Sequence, residues 1–391
     1  MNPHAVAVAP FPLVDLKAQY RAIKAEVDAA IQRVMDSQQF ILGPEVENFE
    51  REVADYCGTR FAIACASGSD AVLLPLMALD AGPEDEVVTT PFTFVATAGS
   101  VARLGARPVF VDIDPRTYNI DASKLEAAIT PKTKAIIPVH LFGMSADMDA
   151  ITNIANQRGI PVIEDAAQAI GATYAGKPVG SIGLCGCFSF FPSKNLGGAG
   201  DGGMLTTNDE TFADRLRVLH LHGGHTKYVY ELIGMNSRLD ALQAAILRVK
   251  LRHLDSWSEG RRRKAARYDE LFTKLGLDRH IRLPQIQTNC NHIYHQYVIR
   301  SPRREELKTF LRKCGVPSEI YYPLPLHLQE AFAYLGYKRG DLPESEAASK
   351  EVLALPVFPE MTDDQQNLVV ESIAAFYRDQ ERPQLSRDRQ R

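Results

Sequence analysis

From about Arg60 to Asn208 the chain alternates short apolar runs with helical patterns, and this alternation restricts the fold more than any other feature. The runs FAIACAS, DEVVTTP, RPVFVDID, TKAIIPVH, IPVIEDA, CGCFSFF and GGMLTTN are rich in Val, Ile and Phe and are bounded by turn-forming residues, which makes them strands. Several are almost continuously apolar, as strands buried on both faces must be. Between them, SDAVLLPLMALD and FVATAGSVARLG carry helical spacing. The pattern predicts an α/β fold with a mostly parallel central sheet wrapped by helices. Ligands of such sheets sit beyond the carboxyl ends of the strands.

The pattern changes after Ser237, where SRLDALQAAILRVKLRHLDSWSEGRRRKAARYDELFTKLG predicts long helices, with the arginines of GRRRKAAR on one solvated face. From about Asn291 a smaller unit follows: the strand YHQYVIR, the helix REELKTFLRKCG, a Pro-rich loop and a last helix. We therefore expect a large domain over 1–250 that includes an N-terminal helical segment, a smaller C-terminal α/β domain over 251–380, and a polar tail over 381–391 that frays. There are no internal repeats.

Net charge is −4, from 44 basic and 48 acidic residues, without the basic excess of a nucleic-acid binder. No apolar run reaches the roughly 18 residues of a membrane span. MNPHAVAVAPFPL lacks the charged start and long apolar stretch of a secretory signal. Cys57, Cys65, Cys185, Cys187, Cys290 and Cys314 are scattered through apolar segments, and Cys185-Gly-Cys187 is too tight for a usual zinc site. We expect no metal, reduced and mostly buried thiols, and a cytoplasmic protein.

Against this background, SFFPSKNLGGAGDGGML stands out, because it sets Lys194 between an aromatic run and a cluster of glycines. Lysine is seldom buried without a partner, so Lys194 is either a solvated loop residue or an amine that does chemistry. Gly198, Gly200 and Gly203 fit a dinucleotide fingerprint, but they precede a strand instead of opening a helix, so they are assigned to a tight turn and close backbone approach. In CASGSDAV, Ser67-Gly68-Ser69 joins a strand to a helix; this is a plain helix cap or a phosphate cradle. In IPVIEDAAQAIGA, Asp165 ends an apolar strand, where it either caps the next segment or faces a cation such as a protonated ring nitrogen, with Gln168 projecting from the same turn. A lysine, a strand-end acid, a serine at Ser189 and a phosphate cradle match the needs of pyridoxal phosphate, and Phe94 offers an aromatic to cover its ring.

Taken with QFILGPEVENFE, PFTFVATAGS, PVHLFG, GMNSRLDALQAAIL and YYPLPLHLQ, these motifs resemble the DegT-like family of nucleotide-sugar aminotransferases, fold-type I pyridoxal-phosphate enzymes, from Phe11 to near Tyr377. The resemblance implies that Lys194 is the Schiff-base lysine and that Asp165 pairs with the pyridinium nitrogen. It further implies that Gln168 contacts the ring hydroxyl, that Gly68, Ser69 and Ser189 hold the phosphate, and that Phe94 stacks on the ring. Asn236 is implied to reach the phosphate in the neighbouring subunit of a homodimer with shared active sites, and Arg238 and His327 to line the sugar site. Relatives that act as dehydratases carry histidine at the lysine position, so Lys194 points to amino transfer. The implied donor is L-glutamate and the acceptor a keto group of a nucleotide-linked hexose, at C3 because SFFPSKNLG resembles C3-aminating members.

The alternatives are a C4-aminating relative and a non-catalytic regulatory protein that binds the cofactor. UDP and dTDP sugars both remain open as acceptors, with a UDP-linked 3-keto N-acetylhexosaminuronic acid favoured. The sequence does not name the pathway.

Overall fold

Each of the apolar runs that alternates with helices becomes a strand. The structure, a computed structural model, describes residues 10–387, with side chains through residue 378. The first nine residues, most of the stretch read as lacking a secretory signal, lie outside the described residues, as do 388–391 of the polar tail.

The strands are β1 (Phe61–Cys65), β2 (Glu86–Thr89), β3 (Arg107–Phe110), β4 (Thr133–Ile136), β5 (Ile163–Asp165), the short β6 (Thr173–Tyr174) and β7 (Lys177–Pro178), β8 (Cys185–Ser189) and β9 (Gly203–Thr207). After them come β10 (Cys290–Asn291), β11 (Tyr297–Arg300) and β12 (Val352–Leu355). A unit ordered β1-β9-β8-β5 meets a unit ordered β3-β2-β4 through parallel bridges Ile136–Val162 and Val139–Asp165. Within this sheet only β9 runs against its neighbours.

The side-chain period of two explains the layers. Ala62, Ala64, Phe188 and Met204 face one way, onto the helices Leu16–Ser37, Pro44–Cys57 and Ala241–Leu251. Ile63, Cys65, Cys187 and Leu205 face the other way, onto Gly68–Ala78 and Glu210–Leu219. The helix Gly68–Ala78 is buried nearly all round, through Ala71, Val72, Leu73, Leu74 and Leu76. All six cysteines are free, and Cys57, Cys65, Cys185 and Cys187 are buried.

The C-terminal core packs β11 and β12, an antiparallel pair, against the helices Leu254–Lys274, Arg304–Lys313 and Asp363–Arg387. Leu254–Lys274 links the cores: Leu254 and Trp257 pack on the sheet side, while Ala265, Tyr268 and Phe272 pack in the C-terminal core.

The structure corrects the sequence expectations in two places. Arg261, from the run expected to be solvated, is buried; its guanidinium donates to the carbonyls of Val357 (2.8 Å), Tyr294 (3.1 Å) and His295 (3.3 Å). Burial pushes its pKa down to about 10. The stretch expected to be only a Pro-rich loop contains a helix, Pro343–Glu351, that passes straight into β12 with no Gly or Pro between to mark the change. The last helix continues to Arg387, into the polar tail, a length that does not test whether the tail frays. Among the described residues no helix is long and apolar enough to cross a membrane.

Glu164 on β5 is fully buried and anchors the turn behind the sheet. It accepts hydrogen bonds from the backbone N–H groups of Gly180 (2.8 Å), Ile182 (2.8 Å) and Gly183 (2.7 Å) and pairs with His140 Nε2 at 2.9 Å. His140 Nδ1 accepts from Ala146 N–H, so Nε2 carries the proton that Glu164 receives. Glu164→Gln keeps the shape but turns an NH₂ toward these donors. It should cost on the order of 3 kcal/mol, read as a fall in the urea midpoint; an unchanged midpoint would show that the carboxylate does not hold the turn.

Candidate active site

With β9 the one reversed strand, the carboxyl ends of β1, β2, β5 and β8 converge. A cavity of about 460 Å³ opens there, lined by residues from each of these ends and by Lys194. A larger cleft of about 710 Å³ lies by Asp114, Asp121 and Gln285. There Arg116 pairs with Asp114 and Lys124 with Asp121, while Asp147 accepts from Ala150 N–H and Tyr174 OH.

Asp165 ends β5 inside the protein. Its Oδ2 accepts from Thr97 Oγ1 at 2.8 Å, its Oδ1 from Ala167 N–H at 3.2 Å, and Thr97 is in turn bonded to Thr93 at 3.0 Å. Burial raises the Asp165 pKa, while the Thr97 bond, the Ala167 N–H and the nearby Lys194 charge act against it. The expected cap is thus present in the Ala167 contact, and the carboxyl also lines the cavity.

Lys194 sits in the connection between β8 and β9, half-buried, in a turn closed by its N–H on Phe191 O at 2.8 Å. Gln243 and Lys250, from the helix Ala241–Leu251, grip this connection. Gln243 Oε1 accepts from Ala199 N–H (2.8 Å), and Lys250 Nζ donates to Gly197 O (2.6 Å). At Gly197 an added Cβ would lie 2.2 Å from Pro192 O, so the turn closes only with glycine. Burial pulls the Lys194 pKa down to about 8, and Asp165 opposes that shift.

The cradle forms where β8 meets the helix Gly68–Ala78. Ser67 caps the helix, its Oγ accepting from Asp70 N–H at 3.1 Å. A Cβ on Gly68 would lie 2.5 Å from the Ser189 Cβ, so only glycine lets the strand end and the helix start approach this closely. The first N–H groups of a helix have no partner within it and favour an anion. The two readings of Ser67-Gly68-Ser69 therefore coexist: a capped helix whose start lines the cavity beside Ser189. The discarded fingerprint glycines behave as expected of close approach: a Cβ on Gly203 would lie 2.3 Å from Ser67 O.

Gln168 is buried on the cavity wall; its Oε1 accepts from Phe142 N–H and its Nε2 donates to Tyr322 OH, both at 3.0 Å. Phe94 is exposed at the mouth. Three expected residues are not brought to the cavity of the same chain. Asn236 is exposed and Arg238 half-buried away from the lining. His327 is buried with its Nε2 3.2 Å from Glu346 Oε1 and packed edge-on to Tyr337, and it does not line this chain's cavity. The basis for expecting it there was a motif, whereas the local 3-10 turn Leu326–Leu328 points the ring inward.

The structure adds Thr97, His295, Tyr321 and Tyr322 to the lining. Thr97 and the tyrosines lie inside motifs noticed in the sequence, but only the fold shows which of their side chains turn inward. His295, bonded through Nδ1 to Asn195 Oδ1 at 3.0 Å, carried one signal: a histidine in an apolar strand.

A mostly parallel sheet with a lysine and a buried aspartate facing each other beyond the strand ends is the architecture of the pyridoxal-phosphate-dependent aminotransferases. Residues 21–374 match the DegT/DnrJ/EryC1/StrS aminotransferase family, and the chain belongs to that family. It is 54% identical, over 94% of its length and 98% of the relative's, to a "Pleiotropic regulatory protein" of Geobacillus stearothermophilus. It is 49% identical, over 88% of its length and 94% of the relative's, to the UDP-2-acetamido-2-deoxy-3-oxo-D-glucuronate aminotransferase of Pseudomonas aeruginosa. Its structure is similar to an X-ray structure of S. venezuelae DesV, with a TM-score of 0.91 and 42% identity over 94% of this chain and 99% of that one.

With a pKa of about 8, roughly a tenth of Lys194 is neutral at pH 7, far more than of an ordinary lysine. Capture of pyridoxal phosphate at Lys194, the role proposed for it below, should therefore speed up with pH through about 8 and then level. Because Asp165 favours the charged lysine, Asp165→Asn should move this midpoint to lower pH. A wild-type midpoint near 10 would show that the lysine is not desolvated.

Proposed function

We propose that the chain transfers an amino group from L-glutamate to C3 of a UDP-linked 3-keto-2-acetamido hexose, using pyridoxal phosphate. The observation that carries this is the convergence of Lys194, Asp165 and the Ser67–Ser69/Ser189 cradle on one cavity. The donor set fits the cofactor. The buried Asp165 carboxyl lacks a full cationic partner and suits a protonated ring nitrogen. The Gly68–Ser189 approach leaves a cradle of N–H and hydroxyl groups for a phosphate.

Bound there, the cofactor supplies an electron sink for bond changes at the donor's α-carbon. Asp165 would keep the proton on the ring nitrogen, and Thr97 holds its carboxylate in place. Gln168, fixed by Phe142 and Tyr322, would hold the ring edge through its amide, and Phe94 at the mouth would cover the ring face. Lys194 would hold the cofactor through its amine, and its Nζ, largely desolvated, would move the proton between the donor's α-carbon and the acceptor side. The Pseudomonas relative, named for a UDP-linked 3-oxo sugar, supports the acceptor. The partner subunit's Asn236 and Arg238 complete the site in a homodimer, which accords with their absence from the cavity of their own chain.

A second reading rests on the Geobacillus relative's regulatory name: a chain that binds cofactor and sugar without turnover. Purified protein with L-glutamate and a panel of UDP- and dTDP-linked 3-keto and 4-keto sugars decides among these readings. The expected product carries its amine at C3, assigned by NMR; an amine at C4 overturns the regiochemistry, and no product with any acceptor favours the second reading. Asp165→Asn should lower turnover roughly ten- to hundredfold with the urea midpoint kept, since it removes one charge-assisted bond.

A further inference from the structure

Ser237 lies between the two residues that the chain does not use in its own cavity, Asn236 and Arg238, yet it is fully buried. Its Oγ donates to Asp70 Oδ2 at 2.7 Å and accepts from Ala66 N–H at 3.1 Å. Its backbone is held as firmly. The N–H donates to His220 O at 3.1 Å, and the carbonyl lies 3.2 Å from His220 Nδ1, which is also 3.1 Å from Ala64 O. Two carbonyls can only accept, so Nδ1 carries the proton and His220 is the donor.

All of these partners belong to the cradle or to its supports. Ala64 is the last residue but one of β1 and Ala66 the residue that follows the strand, and Asp70 lies in the first turn of the helix whose start, Ser67-Gly68-Ser69, lines the cavity. Asp70 is also the residue whose N–H Ser67 caps, so its backbone holds the cradle serine while its carboxylate holds Ser237. On the other side of Ser237 the chain leads to an exposed apolar tip formed by Tyr228, Val229, Tyr230 and Ile233.

We propose that Asp70 and Ser237 are positioning residues forming a strap between the two sites of the dimer. The strap ties the phosphate cradle of one subunit to the residues that the same subunit lends to its partner, so each site depends on it from both sides. This rests on the shared-site reading above. A shift of the helix start on phosphate binding moves Asp70, Asp70 moves Ser237, and Ser237 carries Asn236 and Arg238 with it. Coupling of this kind is reciprocal: docking of Asn236 in the partner's site is felt at the subunit's own cradle.

Mixed dimers test the strap. Two differently tagged chains are co-expressed, the mixed dimer is purified, and one chain carries Lys194→Ala, so each dimer has one working lysine. Ser237→Ala is then placed either in the lysine-bearing chain or in the other, and kcat/KM is measured per mixed dimer. Either placement should lower kcat/KM about tenfold, the effect of losing one hydrogen bond to a charged group. Asp70→Ala, which breaks the strap without altering residue 237, should reproduce both losses if the Ser237 variant folds poorly. Asp70→Asn, which keeps an acceptor for Ser237, should restore most of the activity. A loss confined to one placement overturns the strap, because a local support would act on one side only.

Asn236→Ala serves as the separate check on the shared site. It should harm the working site only from the chain that lacks the lysine. If it is harmless there, the shared-site reading itself fails and the strap with it, an outcome distinct from a one-sided effect of Ser237→Ala.

Discussion

A carboxylate at the end of a buried strand is unstable on its own, and the active-site end of this protein is arranged around that fact. Asp165 receives bonds from Thr97 and Ala167 and a Coulombic contribution from Lys194, yet burial still raises its pKa. The remaining imbalance would favour a cation beside that carboxylate. Lys194 has the converse difficulty: burial favours its neutral amine, which is its nucleophilic form. Each group is held short of its comfortable charge state by the same low-polarity surroundings, and each eases the other.

The scaffold beneath them supplies rigidity. The residue before Asp165, Glu164, points to the opposite side of the strand and fastens the Gly180–Gly183 turn through three backbone N–H groups. Neighbouring residues on one short strand thus divide the work, one acid satisfied and structural, the other under-satisfied and facing the cavity. Their environments differ because alternation along β5 sends them to opposite faces.

Much of this could be read from the chain. The strands were legible because burial on both faces leaves continuous apolar runs, and Lys194 and Asp165 because charged residues at the ends of such runs need a reason to be there. The strand Val352–Leu355 was not, since it follows a helix with no turn residue between. Arg261 was not, since its three carbonyl partners come from segments far apart in sequence and nothing local distinguishes it from its neighbours in GRRRKAAR. His327 carries the same lesson in reverse. The resemblance implies that it lines the sugar site; within its own chain the short turn that bears it sets the ring against Glu346, outside the cavity. Sequence spacing fixes which residues share an element; long-range contacts fix which way their side chains face.

The reversal of β9 has a further meaning for how such a protein changes over time. Because β8 and β9 are antiparallel neighbours, paired from Cys185–Thr207 to Ser189–Gly203, the segment bearing Lys194 leaves and re-enters the sheet at adjacent positions. A parallel arrangement would need a crossover helix there, and the lysine would be bound up with the packing of an entire layer. Here Lys194 hangs from a closed loop whose two ends are already fixed. The side chain at position 194 is in effect an interchangeable part, free to be exchanged for another chemistry while the sheet, the cradle and the strand-end acid stay as they are.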